Sequence, residues 1–487
     1  MAEEALAGRL PSEARPGEGG IIETAAGKLY KVPVPYELSI GGLFAALGPM
    51  AINFGISVGG GETMFIPRMA ALGGTGLFWV MTISTVLETA LVYECIKYSM
   101  VTGRSFFTAV RDIPPKGLFW PWFWAIFSLI TFGWPAWLSG AASAIWKLTG
   151  VFDHYTWAAI ALVLVLVIFY FSNIVYSTLS KIFIAVMWVN IITVIAIVVL
   201  MATPADYLTL LWGYFNFGLA GYPQGVPLSE AAAVMNQPGG SLMWVSLWVL
   251  EAGWGMGAYH GRVTGVLRPP ERINVDVLPW DYNDPEEVRK MKGWCSIGKW
   301  SLIIWWSIIG AMIMTFLYGL AGHVYLYKQG IVKSGLDVPL QMAYIAGGVF
   351  GPVMFGIFLV FIIATLYDGQ FAYYDTFLSR TVCEAIAVTP GLRERRPYRF
   401  YYFVVMTLMV LAGFYLVAVS QPYYLWLLVA FLAILQRSIA SLQILYLNDR
   451  LPEPFRPALI TRILLWLSFI GGIVTAVVWG YAYFAKI

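Results

Sequence analysis

Two apolar stretches of this sequence are interrupted by glycine and by polar side chains that could bind a ligand. The first interruption, Val58–Thr63, reads Val-Gly-Gly-Gly-Glu-Thr inside an apolar run that starts near Ile40. The second, Met235–Gly240, reads Met-Asn-Gln-Pro-Gly-Gly inside the run from about Leu228 to Met256. Consecutive glycines and Pro-Gly-Gly disfavour a continuous α-helix, because of their backbone entropy and a missing N–H group. Inside a membrane, backbone freed in this way is tolerated only where it lines a cavity in the protein.

The side chains at the two interruptions suit a cation or a small polar solute. Glu62 directly follows three glycines, and a carboxylate at membrane depth costs roughly 3 kcal/mol unless it is paired, hydrated or protonated. We therefore expect Glu62 to bind a cation or a proton; the alternative is that it caps the interrupted helix. The thioether of Met235 favours soft transition-metal ions. Asn236 and Gln237 offer amide groups to an ion or solute, or to the unwound backbone.

Three further acids lie inside predicted helices and are candidates for a proton pathway or a cavity lining. They are Glu88 in the second helix, Glu251 in the sixth and Asp368 in the eighth. For Glu88 the alternative is a structural hydrogen bond. Asp375 lies seven residues after Asp368 and shares its helix face, but Arg380 is placed to pair with it.

The composition predicts a polytopic membrane protein. Of the 487 residues 59% are hydrophobic and only 12% are charged, whereas soluble domains average about 25% charged residues; the mean hydropathy is +0.73. About 20 apolar residues span the hydrocarbon core. Eleven stretches meet that length, near residues 40–72, 75–97, 118–147, 157–176, 181–202, 228–258, 299–321, 342–379, 400–419, 424–447 and 459–484.

The sequence carries no pattern typical of an enzyme. It contains no phosphate-binding loop, no histidine-rich zinc spacing and no Ser-His-Asp order at a plausible site. We expect no cofactor and no nucleic-acid partner. The expected partners are the lipid bilayer and a small ion or solute, and the sequence leaves protein partners open.

The distribution of basic residues predicts the orientation of the chain. They concentrate in alternate loops, for example between Arg262 and Lys299 and between Arg393 and Arg399. By the positive-inside rule the N-terminus is cytoplasmic and the C-terminus external. We expect a cytoplasmic tail at 1–38, mobile or lying on the surface, and five-helix repeats at 39–202 and 203–447, the second with a cytoplasmic loop at 260–298. The eleventh helix and C-terminus occupy 448–487.

An odd number of helices in each repeat makes the second repeat inverted relative to the first, and each repeat begins with an interrupted helix. Paired interruptions of this kind point to a binding site at the midplane of a transporter. The predicted fold class is therefore an all-α polytopic membrane protein, with about eleven transmembrane helices in a five-plus-five inverted repeat and interruptions in helices 1 and 6.

Short tracts along most of the chain are similar to the natural-resistance-associated macrophage protein (NRAMP) superfamily. These tracts are Leu47-Gly48-Pro49, Gly73-Gly74 with Leu77-Phe78-Trp79, Glu88 and Tyr93 with Met100-Val101-Thr102-Gly103, Gly369-Gln370, Gln421-Pro422, and Leu447-Asn448 with Leu451-Pro452. The tract Gly253–Gly257 resembles a divergent branch of that superfamily. The resemblance implies the LeuT-type fold and proton-coupled import of manganese or iron, most typically across a prokaryotic cell membrane.

The resemblance also implies site residues, with departures from the family pattern. The family's first interruption reads Asp-Pro-Gly-Asn, whose Asp and Asn bind the metal; here Gly59 replaces the Asp, and Glu62 stands in place of the Asn. Ala232 and Met235 keep the spacing of the family's Ala carbonyl and Met sulfur. The implied metal ligands are thus Glu62, Ala232 and Met235. The wider ion- or substrate-binding set is Gly59, Glu62, Thr63, Ala232, Met235, Asn236 and Gln237.

Three functional hypotheses follow from the sequence. The leading one is a secondary transporter that moves a divalent metal cation by alternating access. Its third helix lacks an acid between Leu118 and Trp146, and its ninth lacks an Arg after Phe400. Family members often place a proton-conducting salt bridge there, so the coupling ion stays open. The alternatives are a transporter of a small organic solute or amino acid with the same fold, and a non-transporting membrane subunit or receptor.

Overall fold

The chain folds into a bundle of apolar helices, described here from a computed structural model over residues 20–24, 27–131, 135–234, 239–419 and 422–485. Within these ranges eight helices are long and apolar enough to cross a membrane. Three of the predicted spans, the first, third and sixth, are instead built from shorter helices. Together they account for the eleven spans that the sequence predicts.

We number these segments in chain order. They are α1 (Leu47–Phe54, Gly55–Gly61 and Glu62–Gly73), α2 (Trp79–Thr102), α3 (Phe119–Ile130 and Ala136–Thr149), α4 (His154–Phe171), α5 (Val175–Met201), α6 (Leu228–Val234, Leu242–Trp244 and Val245–Glu251), α7 (Pro285–Tyr327), α8 (Pro352–Ala387), α9 (Tyr398–Val419), α10 (Pro422–Asn448) and α11 (Leu459–Ala485). Shorter helices at Ile40–Ala45, Pro204–Phe215 and Gln341–Phe350 join them. Of the most apolar 18-residue stretch of α2, 67% is buried inside the protein, whereas the corresponding share in α11 is 22%. α2 is therefore central in the bundle and α11 is peripheral.

The interruption of α1 takes the form of a π-helix. The chain is α-helical over Leu47–Phe54, which we call α1a, π-helical over Gly55–Gly61, and α-helical again over Glu62–Gly73, which we call α1b. The expected unwinding at the three glycines is therefore replaced by a wider helical turn. Close packing explains the glycines, since a Cβ on Gly61 would lie 1.2 Å from Cζ2 of Trp426.

The interruption of α6 is a true break in the helix. Its first half, α6a, spans Leu228–Val234. Its second half, α6b, comprises a 3-10 turn at Leu242–Trp244 and an α-helix at Val245–Glu251. Met235, Asn236 and Gln237, which we predicted to bind the substrate, lie outside the described residues.

Two predicted span boundaries differ from the observed helices. The stretch predicted at 342–379 is divided, because one helix ends at Phe350, Gly351 has φ 90°, and Pro352 starts α8. A left-handed glycine followed by proline is a strong helix stop. α7 begins well before the predicted 299, at Pro285, where the Asp284 side chain accepts the Glu286 N–H at 2.8 Å.

A short hairpin precedes the first helix and adds strands to the expected all-helical fold. Strands β1 (Ile21–Thr24) and β2 (Gly27–Tyr30) pair antiparallel, with Ile21 opposite Tyr30. The following residues pack on the segment predicted as a cytoplasmic loop: Trp294 donates to the Pro33 carbonyl at 2.8 Å, and Tyr259 to the Lys31 carbonyl at 2.7 Å. This part of the predicted tail is therefore docked.

Candidate functional site

Side chains from α1 and α2 bond to the start of α6b. Three consecutive backbone N–H groups, at residues 239–241, each donate to a different side chain. The pairs are Gly239 with Glu62 Oε1 at 2.9 Å, Gly240 with Glu88 Oε2 at 3.0 Å, and Ser241 with Asn53 Oδ1 at 2.9 Å. These three residues directly precede the first turn of α6b at Leu242, so their N–H groups have no partner within that helix. The two interrupted helices therefore meet through these bonds.

Glu62 lies at the centre of this contact and is only partly satisfied. It is the first residue of α1b and is 1% exposed. Its Oε1 accepts the Gly239 N–H, whereas its Oε2 has no hydrogen-bond partner in the described part of the chain. Glu62 thus bonds the backbone of the sixth span rather than capping its own helix, and its assignment as a cation ligand stays a prediction.

Asp368 is a second buried carboxylate beside the same stretch of α1. It is 1% exposed, and neither carboxylate oxygen has a hydrogen-bond partner within the described ranges. A Cβ placed on Gly55 would lie 2.9 Å from Oδ2, and one on Gly59 would lie 3.3 Å from Oδ1. The predicted site residue Gly59 therefore contributes close packing: it lets the carboxylate of α8 approach the π-helical backbone.

Glu88 differs from these two acids because it has a basic partner. Its Oε1 accepts from Nη1 of Arg437 at 3.1 Å, and the same nitrogen donates to Ser84 at 2.8 Å. Arg437 lies in the middle of α10 and is 1% exposed on its side chain. Our sequence interpretation missed Arg437, although a charged residue inside the predicted span 424–447 was a detectable signal. The charge of Glu88 is thus balanced by Arg437, and its assignment to a proton pathway or cavity lining stays a prediction.

Beside the π-helical stretch, the buried acidic side chains of the described chain outnumber the basic ones. Glu88 is balanced by Arg437, whereas Glu62 and Asp368 have no basic partner among the residues that the structure describes. Unpaired carboxylates are strongly disfavoured in a buried, apolar setting. A divalent cation, two monovalent cations or two protons would neutralise them.

The remaining predicted ligands are only partly visible. Thr63 is fully buried next to Glu62, and Ala232 is 5% exposed near the end of α6a. Within the described residues no group of three or more His, Cys, Asp and Glu side chains could hold a metal ion. The predicted metal ligands are instead one carboxylate, one backbone carbonyl and one thioether, from Glu62, Ala232 and Met235. This set of ligands stays a prediction.

Glu251 belongs to a separate cluster at the far end of α6b. Arg380 of α8 bridges it at 2.6 Å and also bonds Asp375 at 2.8 Å, so the expected pairing of Asp375 with Arg380 is present. Tyr402 of α9 donates to Asp375 at 2.6 Å. All three charged side chains are at most 2% exposed. These contacts bind α6b to α8; the assignment of Glu251 to a proton pathway or cavity lining stays a prediction.

A second ion pair joins the other two half-helices. Arg68 of α1b makes a two-bond contact with Glu230 of α6a, at 2.9 Å from Nε and 2.8 Å from Nη2. Its guanidinium also donates to the Tyr423 hydroxyl at 3.0 Å and to the Lys333 carbonyl at 2.7 Å. These contacts bind α1b to α6a, and the predicted orientation would place them towards the external side. The sequence analysis did not single out Arg68 or Glu230.

Tryptophan side chains cover the glycines around the site. A Cβ on Gly240 would lie 2.8 Å from the Trp306 ring, and one on Gly369 would lie 3.0 Å from the Trp137 ring. Trp426 lies closer still to Gly61, at 1.2 Å from a hypothetical Cβ, and its ring is tilted against that of Phe65, with ring centroids 4.4 Å apart. Because these positions are glycine, the indole rings can pack directly against the interrupted segments.

Comparison with known proteins supports the architecture. No protein-family model and no curated protein matches the sequence. Among solved structures, a variant of the manganese transporter of Eremococcus coleocola aligns with a TM-score of 0.56 at 15% identity, covering 91% of this chain and 88% of that chain. Mhp1, a nucleobase-cation-symport-1 family transporter, aligns with a TM-score of 0.54 at 15% identity, covering 92% of each chain. The chain therefore has the LeuT-type fold of these membrane transporters, a five-plus-five inverted repeat with interruptions in α1 and α6.

Proposed function

We propose that this protein is a secondary transporter that moves a divalent metal cation across the membrane by alternating access. The observation that carries the proposal is the pair of buried carboxylates, Glu62 and Asp368, which lie along the π-helical stretch without a basic partner in the described chain. Their two formal charges match one divalent cation. The likeness of the fold to a manganese transporter supports the same choice.

The geometry of α6b favours a cation over an anionic substrate group. A substrate carboxylate would bind the free N–H groups at the start of a half-helix. Here the N–H groups of residues 239–241 already donate to Glu62, Glu88 and Asn53. The segment directly before α6b therefore offers a substrate carboxylate no free N–H group at these three positions.

In the proposed site Glu62 supplies the charge through Oε2, with the Ala232 carbonyl and the Met235 thioether as the predicted further ligands. Asn236 and Gln237 would complete the shell. A thioether ligand favours soft transition-metal ions over magnesium or calcium. Alternating access then requires the contact between Arg68 and Glu230 to open on the external side and α6b to move on the cytoplasmic side.

A second candidate substrate is a small organic cation. The indole rings of Trp426, Trp306 and Trp137 lie against the glycines of the site. Aromatic faces attract ammonium groups by roughly 0.5–2 kcal/mol each. Together with Glu62 they would form an aromatic pocket for a protonated amine.

Uptake into proteoliposomes tests both candidates. We expect Mn²⁺ uptake by the wild type, and loss of most of that uptake in Glu62→Gln, which keeps the shape of the side chain and removes its charge. Glu37→Gln is the matched control, because Glu37 is exposed. Competition by an alkylamine but not by Fe²⁺ would favour the organic cation. No uptake of any tested solute would contradict transport and favour a non-transporting subunit.

A further inference from the structure

We propose that Asn53 and Glu88 are positioning residues for the cation site: they occupy backbone donors of α6b that would otherwise bind the second oxygen of Glu62. This inference rests on the proposed function. It assigns roles in cation binding to two residues that do not themselves touch the cation.

The donors and acceptors at the start of α6b are matched one to one. Residues 239–241, directly before α6b, present three consecutive N–H groups. A carboxylate has about four lone-pair sites, so Glu62 alone could accept more than one of these N–H groups. In the structure it accepts only that of Gly239, because Glu88 and Asn53 accept the other two. This division leaves Glu62 Oε2 without a donor.

Both positioning side chains are themselves held in place. The carboxylate of Glu88 is bound by Arg437, and it packs tightly on Gly240, where a Cβ would lie 3.2 Å from Oε2. Asn53 is fully buried and also accepts the Ser241 hydroxyl at 2.6 Å. Neither residue belongs to α1b, so α6b is bound to α1a and α2 independently of Glu62.

The same arrangement explains why Glu88 needs Arg437. Without Arg437, Glu88 would be a third unpaired carboxylate beside Glu62 and Asp368 in the described chain, and the negative charge of the site would exceed that of one divalent cation. Arg437 balances that charge while leaving Oε2 of Glu88 available to the Gly240 N–H. The pair therefore works as a neutral hydrogen-bond acceptor with a fixed position.

The test compares two double variants that differ only in the acceptor at position 88. Glu88→Gln/Arg437→Gln keeps an oxygen for the Gly240 N–H and leaves no unpaired charge. Glu88→Leu/Arg437→Gln removes that oxygen. Binding of Mn²⁺ to each purified full-length protein is measured by titration calorimetry, with the melting temperature recorded in parallel. We expect the leucine form to bind at least about tenfold more weakly than the glutamine form, the scale of a lost helix cap.

Asn53→Leu removes the other acceptor and gives an independent measurement if the leucine form at position 88 does not fold. We expect a similar loss of affinity there. Equal affinities of the two double variants, or wild-type affinity in a folded Asn53→Leu protein, would overturn the inference. Failure of the wild type to bind Mn²⁺ would instead overturn the proposed function. If Asn53 and Glu88 act only in folding, the variants will melt at lower temperatures, but the glutamine and leucine forms will bind Mn²⁺ with equal affinity.

Discussion

Among the buried acids of this protein, the arrangement of hydrogen bonds separates the acids that pair with arginine from the candidate ligand. Glu88, Asp375 and Glu251 each bond an arginine. Glu62 bonds only backbone and keeps one oxygen without a partner in the described chain. Removing one member of a buried ion pair leaves an uncompensated charge, whereas neutralising Glu62 leaves none. The two kinds of residue should therefore respond differently to substitution.

We predict that Arg380→Met strongly destabilises the protein. Arg380 is the arginine that bonds both Glu251 and Asp375. Breaking buried ion pairs in this way typically costs about 3–5 kcal/mol. The melting temperature in detergent should fall sharply, whereas Arg395→Met, at an exposed position, should leave it unchanged. Equal melting temperatures for the two variants would show that the cluster does not stabilise the contact between α6b and α8.

The sequence was informative about individual acids and less so about their partners. Glu62 and Asp368 could be selected because a carboxylate in an apolar run needs a compensating partner or a function. Their environments depend on contacts far along the chain: Glu62 bonds a residue 177 positions away, and Glu88 one 349 positions away. Without an alignment, no local pattern identifies such pairs.

At the level of elements, the glycines of α1 act through packing as much as through flexibility. The sequence correctly predicted interruptions in α1 and α6 from glycine and proline. It also suggested unwinding at three successive glycines, whereas the structure shows a π-helix. The difference arises because Gly61 contacts Trp426 and Gly55 contacts Phe183 of α5, with a hypothetical Cβ 1.2 and 2.2 Å from the respective rings. Such inter-helix contacts are invisible to local propensity.

We predict that Gly61→Ala destabilises the protein by more than the about 1–3 kcal/mol typical of overpacking. The added methyl group would overlap the Trp426 ring. Gly356→Ala in α8 is the control, because its Cβ would lie 3.9 Å from the nearest side-chain atom. Size-exclusion chromatography after a temperature series measures both variants. A Gly61→Ala protein as stable as Gly356→Ala would show that α1 can move away from α10 at no cost.

On the scale of the whole molecule, the described contacts divide the half-helices into two groups. Arg68 joins α1b to α6a and to Tyr423 of α10. Asn53 joins α1a to α6b, and Glu88 joins α2 to α6b. The bond between Glu62 and Gly239 connects one group to the other. A cation that binds Glu62 would therefore act where the two groups meet.

We predict that Glu230→Gln opens the external side of the site. The variant weakens the two-bond contact with Arg68, which is only 13% exposed. A cysteine introduced by Thr63→Cys, next to Glu62, should then react several-fold faster with a membrane-impermeant thiol reagent added outside. Asp449→Asn is the control, since it weakens a half-exposed pair with Arg462 elsewhere. Unchanged labelling in Glu230→Gln would show that another contact closes this side.

The central claim is that a cation binds the free oxygen of Glu62 between the two interrupted helices. The most direct measurement is anomalous diffraction at the manganese absorption edge from crystals of the full-length protein grown with Mn²⁺. We predict a single strong peak within about 2.5 Å of Glu62 Oε2, facing residues 232–237, and its loss in Glu62→Gln crystals. No peak near Glu62 at saturating Mn²⁺, or an unchanged peak in the variant, would contradict the claim.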